Sequence, residues 1–164
     1  MVSLLRRLNE VEGLEWIRLH YLYPTTIDDG MLAAMAECDK VCKYIDLPLQ
    51  HASDAVLKRM KRPGTRAGYE RLLGRIRERI PGVTLRTTFI VGFPGESDAD
   101  FTETFNFLHS IDVSYLHVFT YSERTNTLAA DMKPVVPMHV RNERNKVLRN
   151  LSYQKMQYFT QQHA

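Results

Sequence analysis

Cysteine is scarce in this chain. Cys38 and Cys42 are the two in 164 residues, too few for the disulfide framework of a small secreted domain. Tryptophan occurs once, and no apolar run approaches the roughly 20 residues of a membrane span. The N-terminus carries no signal-peptide pattern. Neither sign of charge dominates: 22 Lys and Arg against 19 Asp and Glu leave +3, which excludes a global polycation. A Gly-x-Gly-x-x-Gly run after the first strand and a Walker-type Lys-Ser/Thr are both missing, so the common nucleotide-binding folds lose ground. What remains is 44% hydrophobic and long enough for one buried core, the profile of a cytoplasmic α/β protein.

Apolar spacing predicts a helix from Ser3 to Leu14, stopped at Gly13, and a strand from Trp16 to Tyr23. A helix over Ile27 to Cys38, capped by Thr26, precedes a strand from Tyr44 to Leu49. Ser53 caps a short helix to Met60, and Thr65 caps a longer one to Ile80. Thr84 to Ser97 is the organising stretch. Leu85 to Val91 has the composition of a strand covered on both faces, and it breaks on Gly92, Pro94 and Gly95 before a helix over Asp98 to Ile111. Such a turn can present backbone N–H groups to a ligand, or serve turn geometry alone. A strand at Tyr115–Tyr121, an irregular crossover and a closing helix over Met138–Gln161 complete the chain, with Val140, Val147, Leu151 and Tyr158 on the apolar side of that helix. Four strands alternating with helices imply right-handed βαβ units and a parallel sheet, either open or part of a barrel. Both ends look cut, which favours a segment of a larger barrel.

Ligand sites in such folds lie at the carboxyl ends of strands. The residues there are His20, Tyr21 and Tyr23, then Gln50, His51 and Ser53, then Gly92 and Pro94, and finally Thr120, Tyr121 and Ser122. Arg86, Thr87 and Thr88 interrupt an apolar strand. A buried Arg86 is either anchored by a carboxylate such as Asp46 or kept for an anionic ligand. There is no carboxylate pair, no nucleophile–base set and no strand-end Lys, so hard chemistry would have to come from a cofactor. Cys38-Asp-Lys-Val-Cys42 has no third cysteine at Ile45 and enters the next strand from its amino side. Two ordinary thiols are expected there, and no metal.

Four stretches, Ile17-Arg-Leu-His-Tyr-Leu-Tyr-Pro24, Tyr44-Ile-Asp-Leu-Pro-Leu-Gln-His-Ala-Ser53, Leu57-Lys-Arg-Met-Lys-Arg62 and Leu85-Arg-Thr-Thr-Phe-Ile-Val-Gly-Phe-Pro-Gly-Glu96, share order and spacing with one family. They resemble the radical S-adenosylmethionine (SAM) methylthiotransferases. His20-Tyr-Leu-Tyr-Pro24 and Gln50-His-Ala-Ser53 look most like the RimO branch, which modifies an aspartate of a small-subunit ribosomal protein. Ser114-Tyr-Leu-His-Val-Phe-Thr-Tyr-Ser-Glu-Arg124, with Val135-Val-Pro-Met138 and Arg141-Asn-Glu-Arg144, looks more like the MtaB branch, which acts on a modified adenosine of tRNA.

The resemblance implies four βα units of a partial (β/α)6 TIM-type barrel over 1–137 and a closing helix over 138–164 leading towards a TRAM domain. It implies SAM and 4Fe–4S clusters as cofactors, with the cluster-binding cysteine loop and the N-terminal domain outside this chain. On that plan the isolated chain is expected to be inactive. Gln50 and Ser53 would contact the methionine or ribose portion, Arg86 the carboxylate and Thr88 the ribose. Gly92 would let backbone approach the adenosine, Phe119 and Tyr121 would flank the adenine, and His51 and Tyr21 would face the substrate. Basic residues crowd Lys58–Arg79 and recur at Arg141, Arg144, Lys146, Arg149 and Lys155. They read either as solvated helix faces or as an RNA surface, which leaves a free-standing RNA-binding βα module as the alternative to a radical enzyme.

Overall fold

The computed structural model describes residues 1–163. Three parallel strands, β1 (Tyr44–Gln50), β2 (Thr84–Val91) and β3 (Tyr115–Thr120), form one sheet in the order β1-β2-β3. The helices are α1 (Val2–Asn9), α2 (Asp29–Glu37), α3 (Asp54–Arg59), α4 (Arg66–Arg79), α5 (Asp98–Ser110) and α6 (Met138–Gln162). Short 3-10 turns lie at Pro24–Thr26 and Leu128–Asp131. No helix among the described residues is long and apolar enough to cross a membrane.

Side chains alternate across a strand, so each strand has two faces. Ile45, Leu47 and Leu49 of β1, with Leu85, Phe89 and Val91 of β2 and Leu116 of β3, belong to the core under the helices. Phe89 and Phe107 of α5 are both fully buried, with ring centroids 6.4 Å apart. The opposite face is polar and aromatic. Register pairs Asp46 with Arg86 and Arg86 with Tyr115, Thr88 with His117, and Ile90 with Phe119. The helical layer thus covers one face only.

The fourth expected strand, Trp16–Tyr23, forms no ladder. It makes a single parallel bridge, Ile17 to Val41 in the segment before β1, and reaches β1 itself through Leu22 N–H to Asp46 O (2.9 Å). Tyr21 adopts φ +56, a conformation incompatible with continuing a strand. Asp28, not Thr26, caps α2, its carboxylate accepting from Met31 N–H at 2.7 Å, while the Thr26 hydroxyl bonds back to Tyr23 O. The first helix ends at Asn9, and Gly13 lies in the turn beyond. On α6 the buried positions are Arg141, Arg144, Leu148 and Leu151, whereas Val147 and Tyr158 face outward. The caps expected at Ser53 and Thr65 are present, and Ser97 with Asp100 forms a full capping box on α5.

Candidate functional site

The uncovered face of the sheet is built in rows. In the row nearest the amino ends, the Arg86 guanidinium donates to Asp46 Oδ2 at 2.7 Å and also meets the His117 ring. It lies 5.7 Å from the Tyr115 ring centroid, and Arg18 covers Tyr44 at 3.9 Å. Burial and the neighbouring guanidinium hold His117 below the ordinary histidine value, against the pull of Asp46. Arg86 therefore has the carboxylate partner, one of the two readings its burial allowed. Six residues at about 3.3 Å each put its backbone roughly 20 Å from the Gly92 turn, so it belongs to the floor of the site rather than to the strand tips. Thr88 occupies the next row, buried beside His117. Phe119 and Ile90 form the row above, and Phe119 is 55% exposed.

At the tips the chain takes unusual backbone angles. Gln50 closes β1 at φ +76, just past a register shift that begins after Leu47, and Gly92 follows β2 at φ +77. Tyr121 is tied to this rim by its N–H to Val91 O (2.8 Å) and by an edge contact with Phe93 at 5.2 Å. Tyr21 is 74% exposed at the neighbouring rim position. The structure thus gathers Gln50, Gly92, Phe119 and Tyr121 around the carboxyl end of the sheet.

Three of the expected ligand contacts are taken by the protein itself. His51 is fully buried and faces no open surface, so it cannot touch a substrate. Its Nδ1 accepts from Ser53 N–H and the Thr104 hydroxyl. Ser53 is equally enclosed: it caps α3, and its hydroxyl donates to Asp100 at 2.5 Å. Packing alone already requires a glycine at position 92. A Cβ there would collide with Arg141 of α6, and its N–H is held by Glu96 Oε2 at 2.5 Å.

Glu96 is the residue that sequence reasoning passed over. Its buried carboxylate collects the N–H groups of Gly92 and Phe93 and the guanidinium of Arg144 (3.0 Å), with His51 Nε2 at 3.7 Å. Arg144 also reaches Asp98 at 2.6 Å, so α6 is bolted to the β2–α5 turn. Arg141 similarly holds Tyr121 O (2.8 Å) and Glu123, whose carboxyl it keeps below the ordinary range. Two arginines three apart on a helix read from sequence as solvated charge, and nothing local distinguishes them from that.

The same is true of much of the basic α3–α4 region. Arg59 binds Gly95 O and Asp100, Arg62 binds Pro48 O, and Arg66, Arg75 and Arg77 pair with Glu70, Asp29 and Asp112. Lys155 donates to Ile111 O at 2.7 Å, and burial lowers its pKa. A groove of about 660 Å³ opens at the amino end of the sheet, lined in part by Arg77, Asp112, Lys155 and Tyr158. It lies on the far side from the strand tips.

The donor set does not suit an iron–sulfur cluster. Among the described residues no three His, Cys, Asp or Glu side chains converge, and Cys38 at the end of α2 and Cys42 just before β1 are both free. The polar face does suit a small polar organic ligand. Asp46 Oδ1 and Arg86 Nε on this face, and Tyr121 Oη past the end of β3, are buried without hydrogen-bond partners, and the Phe119 ring two rows above Arg86 is exposed.

A three-stranded parallel α/β sheet with one face left open to a ligand is one wall of a barrel. Residues 1–108 match the model described as the radical SAM superfamily, and the chain belongs to that superfamily, whose members use SAM with a 4Fe–4S cluster. The chain is 41% identical over 157 residues to the ribosomal protein uS12 methylthiotransferase RimO of Acetivibrio thermocellus, covering 96% of this chain and 35% of that protein. It is 52% identical over 133 residues to the RimO of Opitutus terrae, covering 80% and 28%. The chain therefore spans about a third of the length of the curated relatives it matches. The Acetivibrio match takes in residues 114–144 as well, and these relatives lend no support to the expected likeness of that part to the tRNA-modifying branch. Coproporphyrinogen III oxidase (HemN) from Escherichia coli aligns at TM-score 0.64 and 17% identity over 89% of this chain and 32% of its own. The SAM methyltransferase TsrM from Kitasatospora setae, solved with cobalamin and a 4Fe–4S cluster, aligns at TM-score 0.59 and 19% identity over 73% and 24%. These two likenesses speak for the fold alone.

Proposed function

We propose that this chain is the cofactor-holding wall of a radical SAM methylthiotransferase that inserts a methylthio group into a C–H bond, its target the aspartate of a small-subunit ribosomal protein in the cytoplasm. The observation that carries the reading is identity of 41–52% with uS12 methylthiotransferases across 80–96% of the chain. SAM held on this face would supply hydrogen-atom abstraction once cleaved by an electron from a 4Fe–4S cluster, and a further SAM the methyl group. The cluster and the sulfur source would lie outside the described residues.

The chain's own part is to bind and orient. Phe119 offers an open ring face for the adenine, since stacking on an aromatic is favourable for any base. The unpaired Tyr121 hydroxyl sits at the same rim. Gln50 stands at the left-handed end of β1, where it would meet the ribose or amino-acid portion, and Thr88 lies below the Phe119 row. Asp46 and Arg86 close the floor as a neutral pair, with one atom of each left to bond a polar group above. Tyr21 stands on the outer rim, where a protein substrate would arrive.

Expressing the complete reading frame in cells lacking their own uS12-modifying enzyme tests this. The intact mass of uS12 should rise by one methylthio group, located on an aspartate. Unmodified uS12 with newly methylthiolated tRNA would move the substrate to the tRNA branch, and modification of neither would overturn the reading.

A further inference from the structure

Two strand tips frame the site, and each turns on a left-handed residue, Gln50 and Gly92. The residue that follows Gln50 is His51, and its ring bridges the tips. Nδ1 lies 3.0 Å from Ser53 N–H and 3.1 Å from the Thr104 hydroxyl. A backbone N–H can only donate, so Nδ1 carries the lone pair and the proton sits on Nε2. That N–H is fully buried and has no hydrogen-bond partner. It lies 3.7 Å from Glu96 Oε2, the oxygen that gathers the amides of Gly92 and Phe93. An unmade buried donor beside a buried acceptor is costly, and a shift of about 0.5 Å would bring the pair to bonding distance.

We propose that His51 is a positioning residue: its Nε2–H closes onto Glu96 when SAM occupies the tips, fixing the spacing between Gln50 and the Gly92 turn. The inference rests on the SAM-binding reading above. Gln at position 51 would keep an N–H near the place of Nε2. Asn would keep only an acceptor near the place of Nδ1, so it preserves the local turn and loses the reach to Glu96.

The test measures SAM affinity by equilibrium dialysis in the complete, cluster-reconstituted protein for the wild type, His51→Asn and His51→Gln, with melting temperatures alongside. His51→Asn should weaken binding about tenfold and His51→Gln should stay within about threefold of the wild type, the scale of one hydrogen bond. His51→Gln, which gives up the Nδ1 acceptor, should melt no higher than His51→Asn. Wild-type affinity in His51→Asn, equal losses in both variants, or losses that merely follow melting temperature would overturn the proposal. A wild-type protein that binds no SAM would instead sink the functional reading. The His51 geometry is then judged by ¹⁵N-histidine NMR, with the His51→Gln spectrum assigning the signal. An Nε2–H tautomer supports it, and any other form overturns it.

Discussion

A guanidinium buried as deeply as Arg86 is tolerated because Asp46 meets it across the β1–β2 ladder, and breaking such a pair leaves an uncompensated charge. A second residue-scale device ties β1's tip to α5. Asp100 accepts from both Ser53 and Ser97. Burial works to raise its carboxyl, but these bonds and Arg59 outweigh that and hold the pKa below the ordinary carboxylate value. A depressed folded-state pKa contributes stability above the unfolded value of about 3.9 and loses it as pH falls through the folded one. Ser53→Ala removes part of the depression. Urea unfolding across pH should show this variant destabilised by about 1 kcal/mol above pH ~5, with the gap shrinking in acid as Asp100 protonates in both proteins. A gap that does not change with pH would assign the loss to capping alone.

At the scale of elements, α6 is held by Leu148 and Leu151 in the core and by two arginines that reach into the turns after β2 and β3. Arg144→Met should cost about 3–5 kcal/mol, because Glu96 would remain buried with its charge unmatched. Chemical denaturation of the complete protein measures this, and a near-neutral substitution would mean that the two amides suffice for Glu96. Strands and helices were legible in the chain wherever apolar periodicity and caps agreed, as at Ser53, Thr65 and β2. The Trp16–Tyr23 segment shows where that stops. Its composition is strand-like, but ladder formation depends on partners across the sheet and on the left-handed turn at Tyr21. Likewise α6 follows a polar pattern because its buried face bonds to loops far away in sequence, which no local period records.

Taken whole, the molecule covers one face of its sheet with helices and leaves the other polar, aromatic and partly open. The positions along the strands were legible, and the burial of each side chain was not. Strand-end logic placed Gln50, Gly92 and Tyr121 at the carboxyl end of the sheet, where the structure has them. It could not tell an outward side chain from one consumed internally, and so placed buried His51 and Ser53 alongside exposed Phe119. It also read Arg141 and Arg144 as surface charge, when both are anchors. The central claim is that the open face receives SAM against the ring at position 119. Equilibrium dialysis of SAM with the complete, reconstituted protein, wild type against Phe119→Ala, tests it most directly. Loss of one stacked aromatic should weaken binding about tenfold or more, with the melting temperature nearly unchanged because the ring is half in solvent. Undiminished affinity in the variant would contradict the account.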